Sequence, residues 1–538
     1  MRKIFLPALL ILFSAAAFGQ QSSQAYRKLA DSLFQFHHYQ DAAHYYEMAI
    51  RKSKEPGNIM VLVARSYAKI KNNETALTWF SKAKENNATF SATDTYEYVE
   101  VLLSMQKRKE AEGVLLEVLK NDPNALYARE ALDDVLHYEK YYKDSTSFTI
   151  KPLSINTPES EFAPAFYQDG IVYSAAQREK ITRKKYHWDN SHFLNLYFTK
   201  RGDTAYQKPV LFEKELNTRY HDGPATFYAN DERMVVNRNQ AVKQEGKDNS
   251  YVWHLALFDA HRSGTGDNVT WLVTRLPFDQ PPYSFAHPAV TEDGNTLYFV
   301  SDIPGGYGGT DIYRVVRKNG IWSKPFNLGP TINTAENEVF PFLVNNILYF
   351  ASDGHGGLGG LDVFRSEQTL NGFGPAVNLG YPINSPADDF SLITSPDQQT
   401  GYFASARAGN DDLYSFEYVI EQIPLLAHIY DAVTNEPLPG ASVQLMTSAG
   451  TDLTLTSDDK GNISFELPNE TMFMLIGNKE GKIGMVTGSA IQQEDKLHMT
   501  HRIAALGDTT RIACVGMIKN ELGVSEEASS ITIVDKTT

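Results

Sequence analysis

In residues 24–142, small and aromatic side chains recur at a fixed interval within a segment rich in Ala, Leu, Tyr, Lys and Glu. Two copies match with a shift of 34 residues, and a third follows with a one-residue offset. Small residues let paired helices approach closely, and the aromatic residue fills the gap between successive hairpins. The pattern predicts an all-α repeat domain. The matching positions are Ala30, Ala42, Tyr46 and Ala49, then Ala64, Ala76, Phe80 and Ala83, then Ala111, Leu115, Val118 and Pro123.

From residue 146 to residue 420 the pattern changes to short alternating apolar runs between Gly-, Asn- and Asp-rich turns, which is typical of β-strands. Leu297–Ser301 and Asp311–Tyr313 recur 51 residues later as Leu348–Ser352 and Asp362–Phe364. Each unit holds about four strands, so the segment predicts an all-β propeller of five blades. Six blades is the alternative, because the first two units are longer. The run Phe148–Leu153 is expected to complete the last blade.

A third sequence pattern covers residues 423–507, where strand-like runs alternate with Pro-Gly and Asp-Lys-Gly-Asn turns. It predicts a small β-sandwich. Residues 511–538 resemble the start of a second sandwich, and the alternative for them is a loose tail that leaves Cys514 partly exposed.

The first residues have the order of a secretory signal. Arg2 and Lys3 precede the apolar run Ile4–Phe13, and small residues lead to Gly19. We therefore expect residues 1–19 to be a signal peptide and the mature protein to be exported. Because no later stretch approaches about 20 apolar residues, we expect no transmembrane span in the mature chain.

Charge and motifs narrow the function classes. The net charge of −15 argues against nucleic-acid binding. The sequence has no Gly-x-Ser-x-Gly, no His-Glu-x-x-His and no phosphate-binding loop, and Cys514 is its only cysteine. It therefore predicts no catalytic residue, no metal site and no cofactor, so the chain is expected not to be an enzyme. The aspartates at 302, 311, 353 and 362 beside Gly-rich loops leave two interpretations open, calcium ligands or caps on backbone amides.

The 34-residue unit resembles the tetratricopeptide repeat, and the stretch from His287 to Asp302 resembles the Asp-containing WD40-like repeat of bacterial envelope proteins. Residues 423–507 resemble the carboxypeptidase-regulatory-like sandwich. This order of domains is similar to the OmpA-family, PorE-like proteins. The resemblance implies a periplasmic component under an outer-membrane partner such as a PorP/SprF-like barrel, in type IX secretion or gliding. No OmpA-like domain is visible, so peptidoglycan binding is not carried over.

The main functional hypothesis is a non-catalytic periplasmic scaffold for protein partners at the outer membrane. By alignment with the repeat, five residues are expected in a concave groove that receives a partner. The alternative is a propeller of the cell envelope that binds a glycan or small ligand in its central channel. Convergent aromatic and carboxylate side chains at one mouth of the channel would favour this alternative. The predicted groove residues are Arg27, Asp31, Phe34, Arg65 and Lys69.

Overall fold

The structure is a computed structural model in which the chain divides into two compact units, Met1–Tyr418 and Val419–Thr538. The predicted signal peptide lies outside the described residues, as does Cys514 with nearly all of the predicted tail. The described residues are 22–143, 145–176, 191–202, 205–218, 220–243, 251–264, 270–370, 372–419, 422–431, 434, 436–448, 451–468, 471–479, 482–489, 500–505, 518–519 and 525–526.

Helices occupy the start of the first unit. Successive helices pack against each other as antiparallel hairpins, and none of those in the described ranges is long and apolar enough to cross a membrane. The seven α-helices are α1 (Ser23–Gln35), α2 (Tyr39–Ile50), α3 (Gly57–Lys69), α4 (Asn73–Glu85), α5 (Ala92–Ser104), α6 (Arg108–Asn121) and α7 (Leu126–Leu136).

The repeat positions form the core of this helical region. All eight residues of the two matching copies are at most 2% exposed, and so are Ala111 and Leu115 of the third. Helix boundaries follow local capping. The side chain of Ser22 accepts a hydrogen bond from the Ala25 amide, and Ser91 with Asp94 forms a capping box at the start of α5. The helical pattern is thus explained by burial of small and aromatic residues at the hairpin contacts.

Five antiparallel sheets of four or five strands follow the helices. The first sheet contains β2 (Glu161–Tyr167), β3 (Gly170–Ala175), β4 (Asn195–Lys200) and β5 (Val210–Leu211). The second contains β6 (Asp222–Tyr228), β7 (Arg233–Lys243), β8 (Tyr251–Ser263) and β9 (Thr270–Arg275). The third contains β10 (Phe285–Val290), β11 (Thr296–Ser301), β12 (Asp311–Lys318), β13 (Ile321–Trp322) and β14 (Phe326–Asn327). The fourth contains β15 (Glu338–Val344), β16 (Ile347–Ser352), β17 (Asp362–Thr369), β18 (Gly372–Phe373) and β19 (Val377–Asn378). The fifth contains β20 (Asp389–Thr394), β21 (Thr400–Ser405), β22 (Asp412–Tyr418) and β1 (Phe148–Pro152).

The five sheets close into a propeller-type ring. The first strand of each sheet contacts the first strand of the next, and β20 returns to β2. Strand β1 precedes the ring in sequence but pairs with β22, from Phe148 opposite Tyr418 to Pro152 opposite Tyr414. This pairing confirms the expectation for Phe148–Leu153. It also covers the edge that the last sheet would otherwise leave open.

Each inner strand contains a β-bulge at an equivalent place. The bulged residues have φ between 48° and 101°, and four of the five carry a side chain, for which this conformation is strained. The five inner strands therefore present the same distortion to the centre of the ring. The bulged residues are Ala163, Gly223, His287, Phe340 and Ser391.

The helical region packs on the fourth and fifth sheets within the first unit. Lys71 lies 3.0 Å from both carboxylate oxygens of Asp388. The amide of Tyr381 donates a hydrogen bond of 2.7 Å to the carbonyl of Tyr141. These contacts join the helices to the segments that precede the fifth sheet.

The second unit contains two sheets that share one apolar core. Leu425 and Ile463 contribute from one sheet, and Val443 and Leu475 from the other. One sheet consists of β26 (Asn462–Pro468), β23 (Gln422–Asp431) and β29 (Thr500–Ala505). The other consists of β25 (Asp452–Thr456), β24 (Ser442–Thr447), β27 (Met472–Lys479) and β28 (Lys482–Ser489). Two further short strands, β30 (Ile518–Lys519) and β31 (Ser525–Glu526), pair with each other.

Candidate functional site

The structure brings three of the predicted groove residues together. Phe34 of α1 lies under the guanidinium group of Arg65 of α3, 5.5 Å from ring centre to Cζ. Lys69, one turn further along α3, shares a carboxylate with Arg65. Arg27 and Asp31 pair with each other on α1 at 4.0 Å. The five residues thus lie on α1 and α3, and their role in a partner-binding groove stays a prediction.

The cations of this surface are neutralised within the helical region. Glu97 of α5 is 5% exposed and lies 2.9 Å from Arg65 Nε and 3.0 Å from Lys69 Nζ. Asp94 lies 3.2 Å from Arg65 Nη1. The sequence analysis missed Glu97 and Asp94. The distance in sequence from Arg65 to Glu97, 32 residues, is close to one repeat, and this near match is the signal that could have found the pair.

The aspartates beside the Gly-rich loops accept hydrogen bonds from backbone amides. Asp311 accepts from Tyr307 and Gly308, and Asp362 accepts from Leu358. A Cβ atom on Gly357 would lie 1.8 Å from Asp362 Oδ2, so a larger residue cannot occupy that position without a shift. In the described part of the chain, no group of three or more His, Cys, Asp or Glu residues is arranged to hold a metal ion. The geometry favours the capping interpretation.

A cavity of about 270 Å³ occupies the centre of the ring. Residues that follow the bulge line the cavity in all five inner strands, and in four of them the bulged residue does so too, so every sheet contributes. The volume is close to the lower end of the range of roughly 300–1,000 Å³ for small-molecule sites. The lining residues are 163–166, 224–227, 287–292, 340–343 and 391–393, with Asp231.

Aromatic and carboxylate residues line the cavity where the inner strands lead into their hairpin loops. Phe166, Phe227 and Phe342 line the cavity near the ends of β2, β6 and β15, and Phe166 is 40% exposed. The carboxylates are Asp231, in the loop after β6, and Glu292, in the loop after β10. Aromatic and carboxylate residues at one mouth of the channel are the residue types expected of a ligand-binding propeller.

Both carboxylates are held by the neighbouring sheet. Asp231 Oδ2 accepts a hydrogen bond of 2.8 Å from the amide of Gln168 in the first sheet. Glu292 Oε1 accepts one of 2.7 Å from the amide of Asn230 in the second sheet. Each bond uses one carboxylate oxygen, which leaves the second oxygen of each group as an acceptor.

At the bulges, side chains of one sheet contact the backbone of the next. The ring of His287 stacks on Phe340, with centroids 3.7 Å apart, and His287 Nδ1 accepts from the Phe340 amide at 3.4 Å. Ser391 Oγ accepts from the Ala163 amide at 3.2 Å. Burial lowers the pKa of His287 to about 3, so the imidazole is neutral at physiological pH.

The sequence analysis named none of the cavity residues as a site. Their signal is the repeated motif of a bulged residue followed by proline, at Ala163-Pro164, Gly223-Pro224, His287-Pro288 and Phe340-Pro341. Its recurrence in the first four of the five units marks the inner strand, and an aromatic residue follows the proline within three positions in three of the four copies. The two carboxylates lie in loops outside the motif, so the motif alone does not place them at the cavity.

No family model matches the chain, and no curated protein matches it either. Among solved structures, it is similar to the Xyloglucan PUL GH43B of Bacteroides ovatus, with 11% identity over 67% of this chain and 91% of that one, and a TM-score of 0.32. It is similar to the β-fructofuranosidase of Microbacterium saccharophilum, with 11% identity over 48% and 71% and a TM-score of 0.32. A glycosyl hydrolase of Bacteroides ovatus matches at 12% identity over 48% and 84%, with a TM-score of 0.29.

These comparisons correct two predictions. The predicted non-catalytic scaffold of secretion or gliding machinery is contradicted, because the matching structures include a glycosyl hydrolase and a β-fructofuranosidase, which agree better with the alternative. The statement that the chain is not an enzyme is contradicted for the same reason. The physical reason is a difference between the predicted groove and the cavity. The cations Arg65 and Lys69 of the groove are already paired with carboxylates of α5, whereas the cavity is open. The likenesses are too weak to argue for a reaction or substrate, so the alternative depends on the cavity.

Proposed function

We propose that the ring binds a glycan or another small ligand in its central cavity. The observation that carries the proposal is the convergence of Phe166, Phe227 and Phe342 with Asp231 and Glu292 on one cavity of about 270 Å³. An apolar pocket with a few converging polar groups is the usual form of a small-molecule site. A cavity of this size accommodates a small ligand or the end of a longer one.

The lining supplies both kinds of contact that a sugar ring needs. The C–H face of a sugar ring packs on aromatic side chains, and the hydroxyl groups of the sugar donate hydrogen bonds to carboxylate oxygens. Phe166 is held in place by Tyr402, whose ring meets it edge-on at 5.7 Å. Because Nδ1 of the neutral His287 ring accepts a hydrogen bond, its hydrogen is on Nε2, which makes this atom a donor. Phe166 and His287 lie on strands, and the two carboxylates lie in the hairpin loops that follow β6 and β10.

The test is titration of the purified protein with a panel of small glycans, followed by calorimetry, with wild type and Phe166→Ala compared. We expect Phe166→Ala to weaken binding about tenfold, since an aromatic contact contributes roughly 1–1.5 kcal/mol. Phe326→Ala is the matched control, because Phe326 is 61% exposed on β14 and does not line the cavity. The ligand is recovered after each titration and checked for cleavage.

Equal affinity of wild type and Phe166→Ala for a bound glycan would contradict the cavity as the binding site. Absence of binding by any glycan or other small ligand at millimolar concentration would contradict the proposed function itself.

We also propose the finer domain identities. The 34-residue period with buried repeat positions supports tetratricopeptide repeats, and five sheets with an inner bulge support a five-bladed WD40-like propeller. The two-sheet core of the second unit supports a carboxypeptidase-regulatory-like sandwich. This order supports a relationship to the OmpA-family, PorE-like proteins. The scaffold role and its barrel partner are not part of the proposal.

A periplasmic, outer-membrane-associated location completes the proposal. It is supported by the order of basic, apolar and small residues in 1–19. N-terminal sequencing of the native protein should return Gln20, and fractionation should place the protein in the periplasm. Recovery of Met1 from the cytoplasm would contradict this location.

A further inference from the structure

The charged lining of the cavity has a single sign. Asp231 and Glu292 line it, and no lysine or arginine does so within the described ranges. The one other titratable group, His287, stays neutral as described above. In the described structure, neither carboxylate has a cationic side chain within 4.0 Å, and each is bonded to a backbone amide. A bound ligand therefore meets negative charge without a fixed counter-charge.

Three cations beside this mouth are paired with other carboxylates. Each lies against one of the hairpin loops or on the strand that follows, and none lines the cavity. They are therefore less available to compensate an anionic ligand than free cations would be. The pairs are Lys200 with Asp169, Arg262 with Glu232, and Arg233 with Asp259.

We propose that the cavity selects pyranose ligands by charge: it accepts sugars that carry an amine or no charge and disfavours uronic acids. The inference rests on the proposed function and adds the class of ligand. The free oxygens of Asp231 and Glu292 attract an ammonium group and repel a carboxylate, whereas Phe166 and its neighbours contact the ring regardless of charge. Electrostatic complementarity of this kind decides specificity more than overall affinity.

Three methyl glycosides of the same ring stereochemistry test the proposal, namely methyl glucosaminide, methyl glucoside and methyl glucuronide. Affinities are measured by calorimetry at low and at high salt. We expect the glucosaminide to bind about threefold to tenfold more tightly than the glucoside, and the glucuronide to bind more weakly by a similar factor. The differences should shrink at high salt because the mouth is open to solvent.

The double variant Asp231→Asn with Glu292→Gln should bring the ratio of glucosaminide to glucuronide affinity close to one. Both new side chains keep an oxygen that can accept the amide hydrogen bond, and thermal unfolding verifies that the ring remains folded. Glu417→Gln is the matched control, since Glu417 is an exposed carboxylate on β22 that lies outside the lining, and it should leave the ratio unchanged.

The possible outcomes distinguish a failure of the charge selectivity from a failure of the proposed function. A glucuronide that binds as tightly as the glucoside to wild type would overturn the charge selectivity while leaving the cavity as a binding site. A double variant that keeps the wild-type ratio would also overturn it. If none of the three sugars binds, the charge selectivity falls, whereas the proposed function fails only if the wider ligand panel also gives no binding.

Discussion

Buried carboxylates of the helical region and of the ring are held in different ways. In the helices, Glu97 lies between Arg65 and Lys69. In the ring, Glu338 is fully buried and accepts hydrogen bonds from the Thr334 amide, the Thr334 hydroxyl and the Ser352 hydroxyl. The first carboxylate is balanced by cations, and the second only by neutral donors.

The same arrangement appears at the start of the first sheet. Glu161 is fully buried and accepts hydrogen bonds from the amide and hydroxyl of Thr157. Burial raises the pKa of Glu161 and that of Glu338 to about 7. At the equivalent place in the second and fifth sheets, Asp222 and Asp389 have an arginine within reach. Two of these four ring positions are thus uncompensated in the described structure.

The difference decides how each region responds to its surroundings. A carboxylate between two cations stays charged, so removing a cation is costly and changing the pH has little effect. A carboxyl group that is buried among neutral donors is more stable when protonated, so the folded state binds protons that the unfolded state has released. The helical region should therefore be sensitive to substitution of its cations, and the ring should be sensitive to pH.

The largest expected effect is that of Arg65→Glu. It places a third carboxylate beside Glu97 and Asp94, and we expect the free energy of unfolding to fall by about 3 kcal/mol or more. The side chain of Arg65 is only 22% exposed, so solvent screens the new charge less than it would at an exposed helix position. Chemical denaturation followed by circular dichroism measures the change.

Arg27→Glu is the matched control, since Arg27 is 50% exposed and lies 4.0 Å from its partner. It should change stability by no more than about 1 kcal/mol. The double variant Arg65→Glu with Glu97→Arg should recover part of the loss. Equal effects of Arg65→Glu and Arg27→Glu would show that burial does not distinguish the two cations.

A smaller effect is expected from pH in the ring. The ordinary pKa of a glutamate is about 4.3, and that of folded Glu338 is about 7, so the contribution of Glu338 to stability falls as pH rises from about 4 to about 7. The loss is on the order of 3 kcal/mol. Glu338→Gln should remove it, because an amide does not titrate and the two hydroxyl groups can rotate to accept from its nitrogen.

The measurement is the difference in unfolding free energy between wild type and Glu338→Gln at pH 4.5, 6 and 8. We expect wild type to lose stability relative to the variant as pH rises. Glu367→Gln, an exposed position on β17, should show no such trend. A difference that is constant with pH would mean that Glu338 is ionised in the folded state throughout this range.

How much the sequence could predict depends on how local each feature is. The burial of Ala30 and Ala64 could be predicted from the 34-residue repeat, which is visible in a short stretch of sequence. The pairing of β1 could be predicted because Phe148–Leu153 is a strand-like run with no partner in its own unit. Contacts across closed structures have no such signal. Glu97 meets Arg65 only after hairpins stack, and Asp231 and Glu292 line one cavity only after sheets close into a ring. The candidate site was therefore missed, whereas the helical repeat and the strand pattern were not.

The smallest expected effect comes from Gly113→Ala and involves no charge. Gly113 is exposed in the interior of α6, and a Cβ atom added there meets nothing within 4 Å. Alanine loses less backbone freedom on folding, so the variant should gain about 0.5–1 kcal/mol in unfolding free energy. Gly57→Ala is the contrast, because its Cβ would lie 2.8 Å from the carbonyl oxygen of Asn86 and should cost stability. In the Gly113→Ala background, the pH trend of Glu338→Gln should be unchanged. A changed trend would show that the two regions do not respond independently.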